Sequence, residues 1–100
     1  MAFRISSVKK RYFDFEHPET GEILHLEPPT LETVNKYESL DSNSTPADMA
    51  AVIAEMISKN KESREIATRT VMSWMNSDQA TAFLIAFLGW MNGVRDNDPN

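Results

Sequence analysis

Cysteine is absent from this 100-residue chain, and histidine and glycine are scarce, at two and three residues. Without a thiol there is no disulfide framework, no thiolate metal site and no cysteine nucleophile, so stability must come from packing or association. Three glycines leave no material for a Gly-rich phosphate cradle, and neither H-E-x-x-H nor G-x-S-x-G occurs. An enzyme is therefore not expected, and neither is a cofactor. The stretch Met1–Lys10 has no apolar h-region and carries no targeting signal. No apolar run approaches the roughly 20 residues needed to cross a bilayer. The chain is expected to stay in the cytoplasm.

Basic charge is also in short supply. The net charge of −5 argues against general affinity for nucleic acid or anionic membrane, which both need a basic footprint. The one basic cluster, Lys9-Lys10-Arg11, is followed by Asp14, Glu16, Glu19 and Glu22, and it reads as a solvated strand edge rather than a phosphate site. Tyr12, Phe13 and Phe15 beside it superficially resemble a base-stacking platform. The interleaved acids would repel phosphate, and Phe13 and Phe15 are better read as core.

What is present is enough for one domain, expected over residues 1–94, with a hairpin and short helix in 1–40 and a helical part in 45–94. The fold class is α+β, mainly α. Tyr12–Glu16 alternates, His17–Glu22 supplies turn chemistry, and Ile23–Leu26 returns, which predicts a hairpin burying Phe13, Phe15, Leu24 and Leu26. Phe3, Ile5 and Val8 either prolong its first strand or add a third. Pro28 and Pro29 stop the return strand. Thr30 then caps a helix over Leu31–Leu40 with Leu31, Val34, Tyr37 or Glu38 and Leu40 recurring at helical spacing.

Thr45-Pro46-Ala47-Asp48 opens a second helix, whose stripe is Met49, Val52, Ile53, Met56 and Ile57, ending near Lys59-Asn60. A third is expected from about Lys61 to Met75, with Ile66, Ala67, Thr70, Val71, Trp74 and Met75 inward and Glu62, Arg64, Glu65 and Arg69 outward. Ser77 caps a fourth, from Asp78 to about Asn92, ended by Gly93. Residues 95–100 are polar and expected to be disordered.

His17 and His25 lie near Glu16, Glu19, Glu22 and Glu27. A metal site built from them is not expected: His17 belongs to the turn, His25 lies opposite Asp14 on the exposed face, and structural zinc usually wants four converging ligands. They read as surface histidines. Five of six methionines, at 49, 56, 72, 75 and 91, fall in the helical half. They read first as core filling and second as part of an adaptable interface.

The fourth helix departs from the ordinary pattern. A surface helix shows one apolar stripe roughly 100° wide. Here Phe83, Phe87, Trp90 and Met91 make one stripe, while Ala82, Ile85, Ala86 and Gly89 continue around the other side. Phe83, Leu84, Phe87, Leu88, Trp90 and Met91 are therefore the candidate partner-binding residues, the competing reading being a central core helix. Trp90 is the stronger anchor, because aromatic side chains dominate binding energy.

A hairpin of alternating aromatics and acids, the phrase Leu26-Glu27-Pro28-Pro29-Thr30-Leu31-Glu32-Thr33-Val34 entering a short helix, a polar link, and helices ending in an apolar one together resemble the small tail assembly chaperones of long-tailed bacteriophages, of siphophage type. The resemblance covers most of the chain and brings no catalytic residues with it. It implies a cytoplasmic protein of the infected host that binds the tape-measure protein and tail-tube subunits before assembly and is absent from the finished particle. It also implies a longer frameshifted form, whose junction would fall in Val94–Asn100. Two other readings remain open: a small dimeric antitoxin-like regulator touching DNA through Lys9, Lys10 and Arg11, and a structural subunit of a larger assembly. Homo-oligomerisation is compatible with all three.

Overall fold

Alternating side chains in Phe13–Glu16 (β1) and Ile23–Leu26 (β2) pair antiparallel in the computed structural model, which describes residues 1–96. Phe13 faces Leu26, Asp14 faces His25 and Phe15 faces Leu24. The pleat puts Leu24 and Leu26 fully in the core with Phe13 and Phe15 packed beside them. In the turn, the His17 N–H donates to the Glu22 carbonyl (2.7 Å), the Gly21 N–H donates to the His17 carbonyl (2.9 Å), and Gly21 takes φ +77°. His17 Nδ1 accepts from the amides of Glu19 and Thr20 at 3.2 and 3.3 Å, so this histidine builds the turn.

Four helices follow among the described residues: Leu31–Glu38 (α1), Pro46–Ser58 (α2), Thr68–Trp74 (α3) and Ser77–Asp96 (α4). The fold is thus α+β and mainly α. Thr30 caps α1 by accepting from the Thr33 amide at 3.2 Å. At α2, Thr45 accepts from the Asp48 amide (3.1 Å) while Asp48 accepts from the Thr45 amide (2.9 Å), a reciprocal capping box ahead of Pro46. The expected α2 stripe is inward, with Val52, Ile53, Met56 and Ile57 buried and Met49 packed on the core.

Several expectations are corrected. Residues 61–67 are not helical, and the third helix shortens to seven residues. The segment instead runs beside β2: Glu27 N–H donates to Lys59 O (2.9 Å), Lys61 N–H donates to His25 O (2.9 Å), and Leu26 and Asn60 form a bridge. Buried Asn60 then organises the bend. Its amide nitrogen donates to the carbonyls of Ile57 (2.7 Å) and Arg64 (2.8 Å), its oxygen accepts from the Arg64 amide (2.8 Å), and Ser63 adopts φ 60°. These long-range bonds outweigh the modest helix propensity of the segment.

On α1 the buried face is rotated. Leu31 is 86% exposed, whereas Thr33 is buried and its hydroxyl donates to Glu55 at 2.9 Å. At α4 the cap is Asn76 instead of Ser77: Asn76 accepts from the Gln79 amide (2.8 Å) and Gln79 accepts from the Asn76 amide (2.9 Å). Nor does Gly93 end this helix, which continues to Asp96. Of the tail expected to be disordered, residues 97–100 lie outside the described residues.

Residues before Arg11 form an arm with one 3-10 turn, Ile5–Ser7, and no strand. Phe3, Ile5 and Val8 neither prolong β1 nor add to the sheet. They stay 80%, 84% and 58% exposed.

Candidate protein-binding groove

Side chains on α4 point in two apolar directions, and each meets a different environment. Successive residues turn by about 100°, so Phe83, Phe87 and Trp90 share a line, while Leu84, Ile85 and Leu88 lie on the flank beside it. The first line is glued to the hairpin. Phe13 stands edge-on to Phe83, Phe87 and Trp90 at centroid distances of 6.2, 5.4 and 5.6 Å, and Phe15 stands edge-on to Phe83 at 5.7 Å. Phe87 is fully buried, and Phe83 and Leu84 nearly so.

The structure therefore divides the six expected partner-binding residues. Phe83 and Phe87 belong to the chain's own core, and the face they occupy is covered by β1. Trp90 is half-buried against Phe13 and Phe87. Met91 is half-buried, and its carbonyl accepts from Arg11 Nη2 at 2.6 Å. Leu84 and Leu88 line an open groove.

That groove has a volume of about 890 Å³ and lies among four helices. It is lined by Leu84, Ile85 and Leu88 of α4, Met49 and Ile53 of α2, Val71 and Met72 of α3 with Met75, and Tyr37 with Leu40. It exists because α4 leans on the hairpin through its aromatic line and meets α2 only sparingly. Two residues inside it are large, apolar and open to solvent: Ile85 at 69% and Met72 at 48% exposure. Glu38 and Asp41 stand on its rim, with Ser44, Thr45, Asn76 and Ser77. Concave apolar walls with a polar margin suit an apolar side-chain row rather than a charged ligand.

Elsewhere the polar contacts tie elements together. Arg11 donates from Nη1 to the Trp90 carbonyl (2.9 Å), and its guanidinium lies 4.3 Å from the Trp90 ring centroid. His25 sits between two carboxylates, with Nδ1 2.5 Å from Glu62 and Nε2 3.7 Å from Asp14. The His25 amide also donates to Glu62 at 2.8 Å. This backbone bond, followed by the ring contact, holds the Glu62 carboxyl below its ordinary value. Arg64 forks onto Glu22 at 3.1–3.3 Å. Glu55 is held low mainly by the hydrogen bond from Lys36 (2.7 Å), which correspondingly raises Lys36. Glu62 and Arg64, expected as a solvated helix back, instead fasten the 59–66 segment to the hairpin.

His17 and His25 are kept apart in these roles. Among the described residues no group of three or more His, Asp or Glu side chains has the arrangement of a metal site, and no helix is long and apolar enough to cross a membrane.

Sequence reasoning missed Ile85, Met72, Met75 and Met49 as members of one site. The only signals were the continuation of apolar residues around the last helix and the clustering of methionines in the helical half. No family model matches the chain, and no curated protein or solved structure does either.

Proposed function

We propose that this chain is a small assembly factor that takes an apolar helical segment of a partner protein into the groove between α1, α2, α3 and α4. Its resemblance to siphophage tail assembly chaperones suggests the partner: the tape-measure protein, the tail-tube subunit, or both, held in the host cytoplasm before the tail forms. The observation that carries this reading is the open apolar groove of about 890 Å³, in which Ile85 and Met72 remain exposed in the free chain. Met49, Met72 and Met75 give it deformable walls, as suits a surface that accepts irregular apolar rows. The acidic balance of the chain discourages unproductive contact with DNA.

The DNA-regulator alternative loses one of its three basic residues, since Arg11 is spent on the Trp90 and Met91 carbonyls. The test is copurification of the tagged chain with a siphophage tape-measure protein and a tail-tube subunit coexpressed with it, comparing wild type with Ile85→Glu and Met72→Glu. Both variants are expected to keep the wild-type melting curve and lose the partner. Undiminished recovery by both variants would overturn the assignment of the groove.

A further inference from the structure

We infer that the groove of one copy receives the N-terminal arm, Met1 to Lys10, of a second copy. The inference rests on the groove being a docking surface, as proposed above, and names its occupant when no client is bound. Two apolar features of this chain are left unpartnered, and they are complementary in form. The groove is concave and open. The arm projects Phe3, Ile5 and Val8, all more than half exposed and attached to a segment with a single 3-10 turn. Such a slender apolar segment fits a groove in a way that a flat patch does not.

Charge points the same way. All fifteen acidic residues follow Arg11, whereas Arg4, Lys9, Lys10 and Arg11 are four of the ten basic ones, so residues 1–11 carry +4 and the rest −9. Glu38 and Asp41 are among the residues lining the groove, where they would meet the basic residues flanking the apolar row of an incoming arm. Opposite charges of this size steer encounter and fix polarity more than they add affinity.

The arm's own groove is the less suitable receiver. Arg11 roots the arm on the carbonyls of Trp90 and Met91, on the side of α4 that faces the hairpin. Trp90 and Ile85 lie about 140° apart around the helix axis, so the arm would have to wrap α4 to enter its own groove. Ten extended residues reach roughly 33–36 Å, long enough to cross to a neighbouring molecule. In the single chain the arm does not lie in the groove, and its apolar residues remain in solvent.

Because the chain has no cysteine, introduced thiols report this contact directly. Full-length chain carrying Phe3→Cys is mixed with differently tagged chain carrying Ile85→Cys and oxidised, and light scattering gives the mass of wild type and of a chain lacking residues 2–8. The expected result is a wild-type dimer, reduced to monomer mass by the deletion, with the mixed disulfide outcompeting like-with-like pairs and lost when the receiving chain also carries Met72→Glu. A monomeric wild type, a mixed disulfide no more abundant than like pairs, or an intramolecular bond in monomer of the Phe3→Cys/Ile85→Cys chain would each overturn the inference. Partner capture separates this from the groove reading: if the deleted chain still binds the tape-measure protein and Met72→Glu abolishes that binding, the groove stands and only the arm's role falls.

Discussion

Phe13 of β1 meets Phe87 of α4 edge to face, with centroids 5.4 Å apart and planes at 86°. This contact joins the hairpin to the last helix and decides which side of α4 is closed. Phe87→Ala is expected to destabilise the chain by about 3–5 kcal/mol, the usual range for emptying a buried phenylalanine site. Ile85→Ser, two residues away and 69% exposed, should change stability by less than about 0.5 kcal/mol. Urea unfolding followed by tryptophan fluorescence distinguishes the two, and equal losses would contradict the division of α4 into a closed and an open face.

Asn60 replaces a helix with a bend, and three of its polar contacts are to backbone groups. Asn60→Ala leaves the Ile57 and Arg64 carbonyls and the Arg64 amide without these partners, which should cost roughly 2 kcal/mol. Hydrogen exchange would locate the effect in residues 59–66. Protection unchanged there would show that the bend does not depend on this side chain.

Glu62 predicts a particular acid sensitivity. Its folded pKa lies below the ordinary 4.5, so the ionised group stabilises the fold fully above about pH 4.5, and that contribution is lost as pH falls through the folded value. Glu62→Gln keeps an acceptor for the His25 amide but cannot ionise. It should be less stable than wild type at pH 7 and converge on it under acid conditions. Denaturation midpoints followed from pH 7 down into the acid range test this, and a difference that does not shrink as the pH falls would assign the loss to shape instead of charge.

Gly89 lies on the exposed side of α4, and a Cβ built there meets nothing within 4 Å. Gly89→Ala should therefore raise stability by about 0.5–1 kcal/mol, by removing the entropic penalty of glycine within a helix. A lower melting temperature would mean that another surface approaches α4 at this point, which a dimer measurement could then confirm.

Most of the hairpin and the starts of α1 and α2 were legible from residues alone. Phe13, Phe15, Leu24 and Leu26 alternate with polar partners, and Thr30 and Thr45 stand just ahead of helical spacing. Each signal acts over three or four residues, and the same local hydrogen bonds appear in the structure. The segment 61–67 was not legible. Its charged residues suit a helix, and what prevents one is β2, more than thirty residues earlier, whose His25 and Glu27 backbone groups bond to Lys61 and Lys59.

The candidate site divides along the same line. Absence of cysteine, scarcity of glycine and an acidic balance already narrowed the chemistry before any folding was considered, and the excess of apolar residues in 81–91 already marked that helix as needing two neighbours. Periodicity could not say which stripe would be covered, because Phe83 with Phe87 and Leu84 with Leu88 are equally regular. Tertiary packing decided it: Phe13 and Phe15 present ring edges to the phenylalanine line, while the leucine side, with Leu84 buried at its inner edge, borders the open groove among the described residues. The groove is the space left by that choice, made by contacts between residues some seventy positions apart, which no local pattern encodes.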